Sequence, residues 1–354
     1  MGNENNVTTK TTLGVQFTSL HNIDHNNGLI IPIDVDSRSA ALEEYIKRLI
    51  EDIKEKSSKR HFEFKSETTE VRHAIDLFIK GNYVEASEIN ANRLLSVEQD
   101  TQKEMDKLSI SIQKGSLFQT VINYDEDSKM IIIGKADQND FLDASDFAVH
   151  NGLPWKKRIF KSFLAFTDYS GNIKKVLVSD TTNTLMKYWW SDFFELSEIR
   201  TDKHNTIKFL EILDRKVFNP IKKDYPADHT TLRNSVIGYF RNQNDFDLDT
   251  MFELIFQNYS PYEIKLPLDN IKRIIKEIPE KYKLDSQFTI DKTEISKRAV
   301  NRIFLNDGME LVLKDSLDFN GLITSFEDKE GEKYIAIKSE EGYKRFPPKR
   351  HESI

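Results

Sequence analysis

The chain has 354 residues, of which 38% are hydrophobic and 31% charged, enough for two or three domains with a sizeable core. It contains no cysteine, which excludes disulfides, thiolate catalysis, iron–sulfur clusters and cysteine-rich zinc sites. The formal net charge of −7 argues against a uniformly positive surface but allows a local basic face. No apolar run approaches the ~18–20 residues of a membrane span, and no signal-peptide pattern opens the chain. We therefore expect a cytoplasmic protein without a membrane span.

The first hundred residues are predicted to be mainly helical. Residues 1–36 are irregular apart from one strand at Leu29–Ile33. Apolar residues recur at helical spacing over Ala40–Ile53 and are separated by charged residues, which predicts an amphipathic helix. A shorter helix ends at Gly81, a residue typical of helix C-termini. A more polar helix covers Tyr83–Lys107, and its charged pattern indicates a solvated face.

The central stretch predicts a sheet followed by a buried helix. The apolar runs Ser116–Tyr124 and Lys129–Ala136 flank a short acidic turn, which indicates a β-hairpin. The basic aromatic segment Gly152–Phe166 and a further strand at Ile173–Ser179 follow. Large apolar residues in Thr184–Leu196 cover more than one helix face, so this segment must be buried. Its aromatic residues belong either to the core or to a dimer contact.

The last 150 residues are predicted to change from helices to short strands. Helices are expected at Asp202–Val217, Leu232–Arg241, Thr250–Gln257 and Ile271–Ile278, the last ended by Pro279. Beyond them we expect further short elements: a strand at Phe288–Ile290, a helix at Ile295–Ile303, and strands at Met309–Lys314 and Tyr334–Lys338.

These elements predict an α+β fold. A central mixed α/β domain with an antiparallel hairpin sheet would occupy residues 1–200. A helical segment would occupy 201–285, and a small C-terminal α/β segment with a basic tail would occupy 286–354.

The order of the segments resembles the 37-kDa nucleoid-associated proteins of bacteria (the NdpA, or YejK-type, family). The resemblance covers about Ala40 to Lys338 and rests on the first helix, the glycine-led hairpin at 115–136, the C-terminal strands, and four short matches: Leu142-Asp143, Lys187, Phe193-Phe194 and Leu196. The family's Gly-Arg before the aromatic helix is replaced by Thr184-Leu185-Met186-Lys187, and Trp189-Trp190 is a second departure, which indicates a divergent member. The resemblance implies nucleoid association through DNA binding and interplay with DNA-topology enzymes. For a divergent member, a role in phage defence, with phage proteins as partners, is a further expectation.

Several basic clusters are candidate phosphate contacts, although none carries a motif that reads base sequence. The first cluster lies in Gly152–Phe166 and is extended by lysines of the next strand; its alternative interpretation is a solubilising edge strand. The second lies on a predicted helix near residue 275, where a solvated face is the alternative, and the third has two arginines one turn apart. The resemblance to the nucleoid-associated family adds Lys187, the basic residue that precedes the Phe193-Phe194 pair. The candidate DNA-binding residues are Lys156, Lys157, Arg158, Lys161, Lys174, Lys175, Lys187, Lys272, Arg273, Lys276, Arg298 and Arg302.

Enzymatic motifs are scarce in this sequence. It has no glycine-rich phosphate loop, no GxSxG elbow and no HExxH. One enzymatic hypothesis is a metal-dependent nuclease built from Asp125, Asp127 and Lys129, with Asp137 and Asp140 after the second strand. The alternative is that these acids only form turns.

We therefore expect a non-enzymatic, largely sequence-independent binder of double-stranded DNA in the nucleoid. Neither a cofactor nor a metal is expected, and a homodimer would double modest basic patches and raise affinity by avidity. Two other functions stay open: a protein–protein adaptor acting on a DNA-bound or phage complex, and the nuclease.

Overall fold

The main element of the architecture is an eight-stranded, wholly antiparallel sheet, and its strands come from the first 200 residues. The structure is a computed structural model, and it describes residues 14–34, 40–56, 58–109, 111–123, 128–142, 144–145, 147–155, 160–182, 184–295, 301–313 and 322–346. With helices on the sheet and a helical segment beyond it, the fold is α+β, as predicted.

The sheet unit, residues 14–198, has strands in the spatial order β10-β3-β9-β8-β5-β4-β1-β2, with β6 and β7 forming a separate hairpin. A 3₁₀ turn follows its third helix at Asp106–Leu108, and a π-helical turn at Tyr188–Phe193 precedes its last strand. Its elements in chain order are β1 (Gly14–Asp24), β2 (Leu29–Ile33), α1 (Ala40–Glu55), β3 (Arg60–Phe64), α2 (Glu70–Lys80), α3 (Tyr83–Met105), β4 (Gly115–Asn123), β5 (Lys129–Asp137), β6 (Asn139–Leu142), β7 (Val149–Gly152), β8 (Phe160–Thr167), β9 (Ile173–Asp180) and β10 (Leu196–Glu198).

Both faces of the sheet are covered by helices. Ile131, Ile133 and Phe163 pack on one side against α2, α3 and the π-helical turn. The alternate residues Ile132 and Leu164 pack on the other side against α1. Because the central strands are buried on both faces, their sequences are continuous apolar runs, without the alternation of apolar and polar residues seen in half-exposed strands. The hairpin of β4 and β5 pairs Asn123 with Lys129, which confirms its prediction.

The aromatic residues before β10 belong to the core. Trp189 is 1% exposed, and Phe193 and Phe194 are fully buried. The ring of Phe194 stacks on that of Phe163 with centroids 4.2 Å apart. Of the two interpretations of this segment, the structure therefore supports the core, so these residues are no argument for a dimer contact.

The helical unit, Asp202–Ile295, has its own core, in which the phenylalanines Phe209, Phe240, Phe246 and Phe288 pack together. That core includes Ile295 and so continues past residue 285, the predicted end of the helical segment. π-helical turns extend its first helix over Asp214–Phe218 and its fourth over Glu253–Gln257. The elements are α4 (Asp202–Leu213), α5 (Asn219–Ile221), α6 (Pro226–Asn242), β11 (Asp245–Asp247), α7 (Leu248–Phe252), α8 (Leu268–Tyr282), β12 (Gln287–Thr289) and α9 (Lys292–Ile295).

Two predictions in this region are wrong. Pro279 was expected to end its helix, but α8 continues to Tyr282 and ends where Lys283 takes a left-handed conformation with φ of 53°. Burial of Ile275 and Ile278 on one face keeps the helix intact through the proline, whose lost hydrogen bond affects only the last turn. A helix was expected over Ile295–Ile303, but α9 ends at Ile295, residues 296–300 lie outside the described residues, and 301–303 are extended.

The remaining elements are two hairpins and a short helix: β13 (Asn301–Asn306), β14 (Met309–Leu313), β15 (Ile323–Glu327), β16 (Lys333–Ile337) and α10 (Glu340–Arg345). Among the described residues, no helix combines the length and the apolar character needed to cross a bilayer.

A polar junction joins the two units at β3. Arg60 is 3% exposed, and its guanidinium lies 2.7 Å from Asp202 and 2.9 Å from Glu198. The backbone N–H of His61 donates to the Asp285 carboxylate, which follows α8, over 3.0 Å. Because the first residues of β3 are held in this way, the position of β3 relative to α4 and α8 is fixed.

Candidate nucleic-acid interface

A cleft opens in the sheet where β3 and β9 separate. Residues 60–62 of β3 pair with 176–178 of β9, whereas residues 62–64 pair with β10 on the opposite side. Past Phe62 the strands β3 and β9 therefore diverge. The resulting cleft has a volume of about 530 Å³ and is lined by the basic residues His61, Arg72, Lys174 and Lys175 and by the carboxylates Glu63 and Glu67.

Lys174 and Lys175 bring two predicted contacts to this cleft. The amine of Lys174, which is 62% exposed, forms an ion pair of 2.9 Å with Asp168 in the turn before β9. The amine of Lys175 lies 5.9 Å from the centre of the Phe166 ring. In the described part of the chain, Lys175 has no carboxylate partner, so its charge is available to an anionic ligand.

Lys59 adds a cation beside Lys175. Its amine donates a 3.0 Å hydrogen bond to the backbone carbonyl of Lys54. Burial, followed by repulsion from Lys175, lowers the pKa of Lys59 to about 8, while Asp249 acts in the opposite direction. The Lys59 amine therefore interacts with the charge of Lys175, but it loses its proton more readily than an exposed lysine does.

Arg72 and His61 are held in fixed positions at the two sides of the cleft. The guanidinium of Arg72 binds Glu67 and Asp76, each at 2.8 Å, and lies over the Phe64 ring. The ring of His61 lies 3.0 Å from the Asp285 carboxylate. The bound carboxylates reduce the positive charge that Arg72 contributes, so Lys175 is the lining residue best placed to attract an anion.

Lys161 does not lie on the surface, so its prediction as a DNA contact is wrong. It is 6% exposed, and its amine lies 3.1 Å from Asp137 and 3.7 Å from Asp180. Burial lowers the pKa of this amine, but the two carboxylates outweigh burial and raise it. The register pairs Lys161 with Asp180 and Phe166 with Lys175, so Lys161 and Lys175 are five strand positions apart. At about 3.3 Å per residue this is about 16 Å, too far for the continuous patch that was expected.

The other predicted contacts do not line the cleft. Lys156, Lys157, Arg158 and Arg298 lie outside the described residues. On α8, Lys272 donates to the Gln257 carbonyl, Arg273 pairs with Glu277, and Lys276 lies over the Phe252 ring. Arg302 lies 3.4 Å from Glu310, and Lys187 is exposed ahead of the π-helical turn. Of the predicted contacts within the described residues, Lys174 and Lys175 are the ones that line this cleft.

The acids of the nuclease hypothesis are not gathered in the described residues. Asp125 and Asp127 lie outside them, and Asp140 is exposed on β6. Asp137 is buried between two amines, 3.1 Å from that of Lys161 and 3.8 Å from that of Lys135. No group of three or more His, Asp or Glu side chains in the described ranges could hold a metal ion.

Lys59, His61 and Arg72 were not identified as site residues from the sequence. They lie about a hundred positions before Lys174, and nothing in their local pattern distinguishes them from other surface charges. The antiparallel pairing of β3 with β9 brings these residues close to Lys174 and Lys175. The spacing of residues in the sequence does not predict which strands pair.

Comparisons with known proteins found no match: no protein-family model, no curated protein and no solved structure matches this chain. The resemblance to the 37-kDa nucleoid-associated proteins stays a prediction from the sequence.

Proposed function

We propose that this protein binds double-stranded DNA largely without sequence preference, and that the β3–β9 cleft contacts the phosphate backbone. The observation that carries this proposal is the meeting of Lys174 and Lys175 with His61 and Arg72 around one opening in the sheet. These side chains offer N–H donors and positive charge, the two features that phosphate oxygens require.

The chemistry of the cleft explains why little sequence preference is expected. Phosphate contacts fix position and orientation but carry no direct base information. In a chain of net charge −7, one such cleft gives modest affinity. A homodimer in the nucleoid would present two clefts to one duplex and raise the affinity by avidity.

The proposal is tested by mobility shifts of a long duplex at about 50 and 200 mM salt. The double variant Lys174→Glu/Lys175→Glu should bind about tenfold or more weakly than the native protein at the lower salt. Lys103→Glu/Lys107→Glu is the matched control, because it makes the same change in net charge at two exposed lysines that do not line the cleft. An equal loss in both variants would remove the cleft from the proposal, and no shift of the native protein at low salt would favour the adaptor.

A further inference from the structure

A second cleft lies in the helical unit and shares no lining residue with the first. It has a volume of about 560 Å³ and lies between α4 with its π-helical extension and the end of α8. Its lining residues are His204, Lys208, Glu211, Ile212, Arg215, Tyr282 and Leu284. The volume falls within the range of about 300–1,000 Å³ that is typical of small-molecule sites.

The sequence of α4 presents these side chains on one face. His204, Lys208, Ile212 and Arg215 follow one another at intervals of four, four and three residues, so they form a row along the helix. Phe209, Leu210 and Leu213 are buried in the core of the helical unit. That packing fixes the orientation of the helix and holds the cationic row at the cleft.

The acidic neighbours of the cleft neutralise Lys208 but leave Arg215 without a carboxylate partner in the described part of the chain. Asp202 is bound by Arg60 at 2.7 Å, and Asp214 by Arg233 at 2.9 Å. Glu211 holds the amine of Lys208 at 2.9 Å.

Three groups of the cleft are free to bind a ligand. In the described part of the chain, no side-chain hydrogen bond or ion pair engages the His204 ring, the Arg215 guanidinium or the Tyr282 hydroxyl. The cleft therefore offers two cationic or hydrogen-bonding groups and one phenol.

The interior of the cleft is apolar and aromatic. Ile212 is 5% and Leu284 2% exposed, so they form a closed floor, and the partly buried ring of Tyr282 stands at the edge. A flat apolar group would pack there, while Arg215 and Lys208 would take an anionic group attached to it.

We propose that the α4–α8 cleft binds a nucleoside phosphate, with the base against Tyr282 and Leu284 and the phosphate on Arg215 and Lys208. The guanidinium of Arg215 can bind two phosphate oxygens at once, and His204 can donate a further hydrogen bond. The site does not depend on DNA binding at the β3–β9 cleft.

The test is fluorescence anisotropy of N-methylanthraniloyl-ADP with the full chain, and competition by unlabelled ADP, adenosine and inorganic phosphate. Saturable binding is expected, with Arg215→Gln weakening it about tenfold or more, which is a loss of about 1.4 kcal/mol. The matched control is Lys216→Gln, because Lys216 is exposed on the same turn but does not line the cleft. This control should bind as the native protein does.

Three results would overturn the proposal. One is the absence of saturable binding up to about 1 mM nucleotide, which would correspond to less than about 4 kcal/mol of affinity. Another is equal weakening by Arg215→Gln and Lys216→Gln. The third is competition by inorganic phosphate as strong as that of ADP, which would show that the base is not recognised. Tyr282→Leu, which keeps an apolar side chain, should weaken ADP but not phosphate.

Discussion

The amine of Lys161 lies 3.1 Å from the carboxylate of Asp137 in the interior of the sheet unit. The contact belongs to a buried chain of alternating charges, because Lys135 pairs with Glu98 at 2.6 Å and lies 3.8 Å from Asp137. Asp180 ends the chain, where burial raises its pKa and outweighs the opposite effect of Lys161. The sheet is thus held together by ion pairs as well as by its apolar faces.

Lys161→Met should destabilise the protein by about 3–5 kcal/mol, because it leaves Asp137 and Asp180 buried without their shared cation. Urea unfolding measures this. Lys174→Met is the matched control, and loss of its exposed pair with Asp168 should leave the stability nearly unchanged. Equal stability of the two variants would contradict the buried ion-pair chain.

Gly115→Ala should also cost stability, by about 1–3 kcal/mol, because the added methyl group would meet the Lys135 side chain at 2.5 Å and the Ala136 carbonyl at 2.8 Å. The absent side chain of Gly115 is what lets Lys135 reach Glu98. Gly14→Ala serves as the comparison, because there the nearest atom lies at 3.5 Å, an ordinary contact. Thermal unfolding of both variants should show a lower Tm for Gly115→Ala alone.

His229 should make stability depend on pH between about 6.5 and 4. Burial lowers its pKa to about 4 in the folded protein, helped by Arg233 and Lys222 and opposed by Asp214, whereas the unfolded value is 6.5. The unfolded chain therefore binds a proton first, so the stability present above pH 6.5 is lost as the pH falls towards 4. The full loss is roughly 3 kcal/mol.

His229→Gln isolates this effect. The difference in unfolding free energy between the native protein and this variant should shrink as the pH falls from 6.5 to 4. A difference that stays constant over that range would show that His229 titrates normally in the folded state.

Glu63→Gln should tighten DNA binding by about two- to fivefold, because it removes a carboxylate from the β3–β9 cleft without changing its shape. Glu85→Gln, an exposed position in the first turn of α3 outside the cleft, should have a smaller effect. Titration of one duplex with both variants at equal salt is the measurement. If Glu85→Gln strengthens binding as much as Glu63→Gln, only the net charge of the protein is involved.

Much of the fold is legible from local pattern. The hairpin of β4 and β5, the helix α1 and the stop at Gly81, which has φ of 91°, follow from apolar runs, helical spacing and glycine chemistry. Several strands were missed, and β1 and β3 of the main sheet show why. β1 mixes polar and apolar residues along 11 positions, and β3 is a five-residue strand with charges at Arg60 and Glu63. Their place in the sheet is set by pairing partners far along the chain.

The β3–β9 cleft could be predicted from the sequence only in part, and a comparison of Lys161 with Lys174 shows the reason. Lys161 and Lys174 are both lysines of predicted strands with cationic neighbours, so the sequence predicts the same exposed position for both. One is buried because Asp137 and Asp180 approach it on the adjacent strands, and the other is exposed where the sheet opens. Whether a charged side chain is buried depends on its partners in the tertiary structure, and the local sequence does not identify those partners.

The most direct test of the DNA-binding proposal is the salt dependence of duplex affinity for the native protein and for Lys174→Gln/Lys175→Gln. Each phosphate contact contributes a slope of about −0.9 to log K against log salt. Two lost contacts should make the slope shallower by roughly 2. A slope unchanged in the double variant, at whatever affinity, would contradict phosphate binding by the β3–β9 cleft.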